Sequence, residues 1–509
     1  MIVVNGFAGR RVAVLGLARS GRAAVRSLLA GGAEVLAWDD NPAAREAVAC
    51  EMPLSDLGIA DWRGIAALVL SPGIPHSFPE PHPAVLRARE ARVEIIGDLE
   101  LLGRAQPAAC YVGITGTNGK STTTALIGHI LAAGNRVEVG GNLGTPALSL
   151  APLGDGGIYV LEASSFQLEL IATLAFDVAV LLNITPDHLD RHGDMAGYIA
   201  AKKRIFAAQG RVGVAIVGID DPICRDIRDE LRREGIARVI PISVTQAAPG
   251  GVYVDSGWLV DATEAPPVRV LDLIEAERLP GSHNAQNAAA AYAAARALGI
   301  GREKTMAAIR SFPGLAHRQE LVGTIDGVRY INDSKATNAD AAEKALACYR
   351  AIYWIAGGLP KAGGITSLTP YFERVRHAYL IGDATEEFAA TLGDSVPFTR
   401  CRDLAAALAA AHAQACRERA PDAVVLLSPA CASYDQFANF EARGDAFRAL
   451  VARLSAARED RADRQAAGPL PNPPPPSPLP NPPPQAGEGR VGVRVGGPRS
   501  AGEIGERTR

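Results

Sequence analysis

The chain has 509 residues, of which 48% are hydrophobic, enough for about two to four ordinary domains, each with its own core. Its 52 Lys+Arg against 55 Asp+Glu give a formal net charge of −3, which excludes a general electrostatic pull toward nucleic acid or anionic lipid. The seven cysteines (Cys50, Cys110, Cys224, Cys348, Cys401, Cys416 and Cys431) are scattered and never spaced as CxxC, so neither a disulfide framework nor a zinc cluster is expected.

The opening MIVVNGFAGRRVAVLGL lacks a basic segment followed by an apolar core and a cleavage site. The apolar run at 168–182 is broken by Glu169 and Asp177. A soluble cytoplasmic protein without membrane insertion is expected.

The first elements are an apolar strand, RVAVL at 11–15, the turn GLARSG at 16–21, a helix running to Gly31-Gly32, and a returning strand at 35–38 before Asp39-Asp40. This is a βαβ unit. GLARSG has glycine only at 16 and 21, so the GxGxxG dinucleotide fingerprint is missing, although Asp39 stands about 20 residues on, where a ribose-binding acid would. The second segment opens with a strand at 111–114, passes through GITGTNGKST (113–122) into a helix, adds strands at 158–161 and 178–182, and reaches an Ala-rich helix after His283. Strands at 328–331, 352–355, 378–381 and 424–427 make the third. The repeated strand, turn and helix predict an α/β fold with parallel sheets: residues 1–98, 99–314 and 315–456 as three domains, the outer two Rossmann-like and the central one of the phosphate-loop ATPase type. From Ala457 the pattern gives way to a Pro-rich stretch containing PLPNPPP twice. Residues 457–509 are read as a disordered, solvated tail, in preference to an SH3-type ligand.

The stretch GITGTNGKST departs from GxxxxGK[ST] by one position, reading GxxGxxGKS. It retains a strand leading in, glycines that admit an anion to backbone N–H groups, Lys120, the hydroxyls of Ser121 and Thr122, and a helix N-terminus. Gly116, Thr117, Asn118 and Gly119 complete the loop. Nucleotide binding is expected, and a nucleotide needs a metal. The strand IYVLE ends on Glu162, and the next runs into NITPDHLDRHG, bringing Asn183, Asp187, His188 and Asp190 to the same sheet edge. His188 alone would be a loop histidine capping local structure; beside Glu162 and Lys120 it is a metal candidate. In YIAAKKRIF (198–206), Lys202 lies four residues from both Tyr198 and Phe206 on a helix. It either snorkels or is a lysine held neutral and modified near the metal.

GITGTNGKST, LEASSFQLE, NITPDHLDRHG, YIAAKKRIF, GSHNAQN, GLAHR, INDSKATN and SPACASYDQFANFEARG, in this order, resemble the Mur ligases of peptidoglycan synthesis over residues 11–450. INDSKATN and SPACASYDQF resemble the branch that accepts D-glutamate, rather than those adding L-alanine, the third residue or D-Ala-D-Ala. The resemblance implies an ATP-dependent amide ligase that phosphorylates the carboxylate of UDP-N-acetylmuramoyl-L-alanine and lets the amine of D-glutamate attack the acyl phosphate.

By matching positions, it implies that Lys120 holds the β- and γ-phosphates, that Ser121 and Glu162 hold one Mg²⁺, and that His188 with a carbamylated Lys202 holds a second. Lys203 is adjacent, but the helical stripe favours Lys202. Asn284 and Asn287, otherwise helix caps, match nucleotide contacts, as do Arg318 and Asp333. Lys335, Thr337, Lys361, Ser433 and Phe440 match the D-glutamate site, although Ser433 alone would read as a helix cap and Leu359 stands where the family often has a polar residue. Ala18, Arg19, Ser20, Asp40, Ser71 (in LSPGIP), Asn142 (in GGNLG) and His188 match the UDP-substrate site. Three cleft-facing domains imply a closing motion, and a monomer is expected. A dinucleotide oxidoreductase built on the first βαβ unit and a catalytically silent nucleotide-sugar-binding regulator are the alternatives. The first leaves Lys120, Glu162 and His188 without employment, and the second fits poorly with an intact set of lysines and acids.

Overall fold

The computed structural model describes residues 1–466, apart from 143, 208–212, 236–237 and 362, with side chains to 459. Three sheets organise residues 1–455. The first has four parallel strands in the order Glu34–Trp38, Arg11–Leu15, Ile65–Leu70, Glu94–Ile96. Every residue of Val12–Leu15 is fully buried, the mark of a parallel strand covered on both faces.

The central sheet has nine strands: Val268–Asp272, Trp258–Asp261, Val252–Asp255, Arg238–Ser243, Val214–Gly218, Val178–Leu181, Cys110–Thr115, Gly157–Glu162 and Arg136–Gly141. Cys110–Thr115 lies between Gly157–Glu162 and Val178–Leu181, parallel to both. The turn after Thr115, Glu162 and the segment from Asn183 therefore leave the same sheet edge, as adjacent parallel strands require. Helix Ser282–Ala297 packs with Lys120–Ala132 over this sheet, and its alanines at 288–291 and 293–295 are fully buried. Small side chains let the two helices share one core.

The third sheet runs Glu320–Ile325, Val328–Asn332, Ala423–Leu427, Ala351–Gly357, Val375–Ile381, Phe398–Arg400. The parallel sheets predicted from the sequence are present, and two of their edges add antiparallel pairs. Val252–Asp255 pairs with Trp258–Asp261, and Glu320–Ile325 with Val328–Asn332. The hairpins turn on Ser256-Gly257 and Asp326-Gly327, all four at positive φ, the backbone a two-residue hairpin demands.

The expectation of disorder from Ala457 is corrected over its first residues, because helix Phe440–Ala466 continues through them. Residues 457–466 (AREDRADRQA) are good helix formers, and charge alone does not stop a helix. The Pro-rich remainder of the expected tail, 467–509, lies outside the described residues.

Candidate active site

The phosphate-type loop is held from one side by a single asparagine. The Asn183 backbone carbonyl accepts from Thr117 N at 2.9 Å. Its side chain accepts from Asn118 N at 2.8 Å and donates to Asn118 O at 3.2 Å. Gly119 adopts φ 89°, where a Cβ would lie 2.4 Å from Asn287 Oδ1; only glycine fits. Asn284 and Asn287 do not cap their helix, which starts after Gly281 without a side-chain cap. Asn287 instead accepts from Thr123 Oγ1 at 3.1 Å and donates to Asn284 at 3.0 Å, bracing the loop helix.

Both candidate lysines fold onto one acceptor. Lys120 Nζ donates to Gly116 O and Thr117 O, each at 2.9 Å, and Lys202 Nζ donates to the same Gly116 O at 2.9 Å. Lys202 is 1% exposed and lies 4.6 Å from the Tyr198 ring centroid. The snorkelling alternative is thereby overturned: its amine points into the protein. Burial, reinforced by the Lys120 charge, brings its pKa down to about 7. Desolvation lowers Lys120 as well, against the opposing fields of Glu162 and Asp187. Lys203 pairs with Glu230 at 2.5 Å and takes no part.

Glu162 is 2% exposed; its Oε1 accepts from Asn142 Nδ2 at 2.6 Å, while the buried Oε2 has no hydrogen-bond partner. A buried carboxylate oxygen left without a hydrogen bond fits a cation. His188 does not cap through its side chain. It holds φ 51° at the start of Leu189–His192, half-exposed, 3.4 Å from Asp187 and against the Phe166 ring. Among the described residues no three His, Cys, Asp or Glu side chains form a ready metal cage. A hard cation here would draw on phosphate and water oxygens, as Mg²⁺ commonly does.

A cavity of about 430 Å³ joins this loop to the third sheet, lined by Asn118, Asn284, Arg318, Asp333 and Lys335 among others. Asp333 is buried, accepts from Ser428 Oγ at 2.7 Å and Gln319 N at 3.1 Å, and is pushed by burial up to about 7. Burial lowers Lys335, whose Nζ lies 5.9 Å from the Phe440 ring. Ser433 is buried in a turn rather than at a helix start; the helix begins at Phe440, where Asn439 accepts from Ala442 N at 2.7 Å. Thr337 N donates to Lys335 O at 2.9 Å. Lys361 is exposed, and Leu359 N in its loop donates to Ala432 O at 2.9 Å, so the apolar Leu359 leaves that loop paired with the SPACAS segment.

In the first sheet, Ser71 Oγ donates to Gly16 O at 3.0 Å, and Arg19 reaches the carbonyl of Gly144 in the GGNLG loop. Ala18 caps the following helix and Ser20 lies in its first turn. Asp40 accepts from Trp38 Nε1 and meets His82 Nε2 at 2.7 Å. Both oxygens of Asp39 are taken by backbone amides, Leu17 N at 2.6 Å and Asn41 N at 2.9 Å. Asp39, on which the oxidoreductase alternative leans, is thus employed in bracing its own turn.

Three residues escaped the sequence reading. Gln286 accepts from Asn183 and donates to Asp220 at 3.0 Å, tying the loop's brace to a neighbouring strand end. His283 lines the cavity, and burial pushes it down to about 4. Arg443 is fully buried behind the third sheet's loops. Gln286 and His283 stand within the quoted GSHNAQN, and Arg443 stands at the end of the quoted SPACASYDQFANFEARG; in each case the motif was matched without a role for that residue.

Residues 114–295 match the Mur ligase middle domain and residues 317–431 the Mur ligase, glutamate ligase domain. The chain belongs to the Mur ligase family. It is 55% identical to the UDP-N-acetylmuramoylalanine–D-glutamate ligase of Rhodospirillum rubrum, over 90% of this chain and 98% of that protein. It is 53% identical to the ligase of the same name from Phenylobacterium zucineum, over 91% and 100%. Among solved structures, the UDP-N-acetylmuramate–alanine ligase of Thermotoga maritima shares the fold, with a TM-score of 0.52 at 16% identity, over 88% of this chain and 99% of that one.

Proposed function

We propose that this chain catalyses the ATP-dependent ligation of D-glutamate to UDP-N-acetylmuramoyl-L-alanine in peptidoglycan precursor synthesis, releasing ADP and phosphate. One observation carries the reading: the phosphate-type loop, the start of helix Ser282–Ala297, and Arg318, Asp333 and Lys335 line a single cavity, in a chain more than half identical to ligases of that name.

The chemistry accounts for the residues. A carboxylate resists amine attack, so its oxygen first takes the γ-phosphoryl group as ADP leaves. The D-glutamate amine then adds to the acyl carbon, gives up a proton, and expels phosphate from the tetrahedral intermediate to leave the amide. Lys120 balances charge on the β- and γ-phosphates, within a loop of Gly116, Thr117, Asn118, Gly119, Ser121 and Thr122. Asn284, Asn287, Arg318 and Asp333 hold the nucleotide. Lys335, Thr337, Lys361, Ser433 and Phe440 receive D-glutamate, and Ala18, Arg19, Ser20, Asp40, Ser71, Asn142 and His188 the UDP-substrate.

The open Oε2 of Glu162 supports a Mg²⁺ held there with Ser121, and His188 with a carbamylated Lys202 would hold a second. Magnesium, when bound, spreads the charge of the transferring phosphoryl group. Lys202 suits carbamylation because a lowered pKa leaves a neutral amine to add CO₂, losing one proton as the carbamate forms.

Among the described residues no helix is long and apolar enough to cross a membrane; a cytoplasmic monomer is the proposal. ATP and substrate draw the third sheet's loops toward the phosphate loop, and a scattering profile unchanged by both ligands would count against that closure. Phosphate release coupled to a colorimetric readout tests the whole. It is expected only when UDP-N-acetylmuramoyl-L-alanine and D-glutamate are both present, and turnover with L-glutamate or diaminopimelate instead would overturn the acceptor.

A further inference from the structure

Arg443 is a buried cation, 1% exposed, whose hydrogen bonds go to no carboxylate. Its guanidinium spends its fork on neutral oxygens. Nε donates to Ser334 Oγ at 3.0 Å, Nη2 to Ser334 O at 3.0 Å and to Cys431 O at 3.1 Å, and Nη1 to Ala432 O at 3.4 Å. Ser334 Oγ in turn donates to Phe440 O at 2.8 Å.

A third loop closes on the same group. Leu359 N donates to Ala432 O at 2.9 Å, and at Gly358 (φ 135°) a Cβ would lie 3.1 Å from Arg443 Nη1 and 2.3 Å from Ala432 O. Arg443 thus stands where three loops meet: the one with Lys335 and Thr337, the one with Ser433 and Phe440, and the one with Lys361. A planar five-donor fork can hold several carbonyls at fixed angles; an ammonium cannot. Asp435 reaches this guanidinium only through its field and accepts no hydrogen bond from it; burying a cation so weakly paired is costly, and the cost is met by the loop carbonyls it holds.

We propose that Arg443 is the positioning residue that keeps the three amino-acid-binding loops in register, so that acceptor affinity depends on it although it need not touch the acceptor. The inference rests on the D-glutamate reading of those loops given above. Its burial lowers the guanidinium pKa only to about 10, so the fork stays charged near neutrality.

The test is steady-state kinetics on the full chain with Arg443→Lys, Ser334→Ala and Ser433→Ala, each substrate varied in turn and the thermal midpoint measured alongside. Arg443→Lys should raise KM for D-glutamate about tenfold, the loss of one to two charge-assisted hydrogen bonds. KM for ATP and for the UDP-substrate should move less than about twofold. Ser334→Ala, which unties Phe440 and one fork arm with little risk to folding, should raise the D-glutamate KM by a smaller factor in the same direction. If Arg443→Lys binds D-glutamate as the parent does, charge alone suffices and the positioning role is overturned. It is equally overturned if all three KM values rise together with a drop in thermal midpoint, or, should Arg443→Lys fail to fold, if Ser334→Ala leaves the D-glutamate KM unchanged. Ser433→Ala separates the two claims. If it leaves KM for D-glutamate unmoved, the reading of the loops fails; if it raises that KM while Arg443→Lys does not, only the present inference fails.

Discussion

The molecule contains two glycine-rich strand-to-helix turns, and they are built to opposite ends. In GLARSG the turn is tied by an acid: Asp39 accepts from Leu17 N, and Ser71 donates to the Gly16 carbonyl. In GITGTNGKST it is tied by neutral Asn183, while two amines fold onto the carbonyl of Gly116. Both follow a buried parallel strand and open a helix, so the backbone alone predicts anion binding at each. The side chains at the neighbouring strand ends decide otherwise. An acid already seated on one turn leaves arginines at its rim to meet a ligand, whereas lysines and an open carboxylate beside the other equip it for charge that moves during a reaction.

The comparison breaks most visibly at the central turn. Lys120→Ala should cut kcat by about a thousandfold, the scale of losing a charge that acts mainly on the transition state, with the UDP-substrate's affinity nearly intact by calorimetry. Glu162→Gln keeps the shape and removes the charge; about a hundredfold loss, partly recovered at high Mg²⁺, is expected from titrating activity against the metal.

Lys202 sharpens the contrast through pH. Its folded pKa of about 7 lies below the ordinary lysine value of 10.5, so between these values the unfolded chain binds the extra proton and stability rises with pH. Thermal midpoints across that window should rise with a slope that Lys202→Met flattens. Bicarbonate should restore CO₂-depleted enzyme several-fold better at about pH 8 than at about pH 6.5, where the amine is protonated. Asp333, an acid raised to about 7 from 3.8, pulls the other way, costing stability as pH climbs from the lower value to the higher. The smallest effect belongs to the first turn: Asp39→Asn should raise KM for the UDP-substrate about fivefold through a loosened Leu17 amide, leaving KM for ATP unchanged.

Legibility in the sequence followed locality. Lys120, Glu162 and Asp187 could be brought together because Glu162 ends a strand and the other two follow within a few residues of neighbouring strands, and strand ends of a parallel sheet converge. Lys202 could be placed beside Tyr198 from helical spacing, and the structure puts the two in contact. The edge hairpins were missed although Ser256-Gly257 and Asp326-Gly327 are turn signals in their own right, since the strand-turn-helix rhythm was read past them. The helical reach to Ala466 escapes a boundary drawn from the Pro-rich stretch, because the Gly-Pro composition starts only at Gly468 and the residues before it continue the helix. Arg443 lies in the quoted SPACASYDQFANFEARG, but the motif does not show that its arginine turns inward. Its partners at 334 and 431–432 are set by the fold.

The shared carbonyl of Gly116 makes two chemical events speak to one another. While Lys120 rests there, its charge helps keep Lys202 short of a proton. A nucleotide that drew Lys120 to its phosphates, as proposed, would remove that repulsion and let Lys202 hold its proton more firmly. By reciprocity, a change at Lys202 alters how readily the loop accepts its nucleotide. Under the proposed carbamylation, CO₂ would add to Lys202 more readily before the nucleotide arrives than after it, because both amines meet at one oxygen atom.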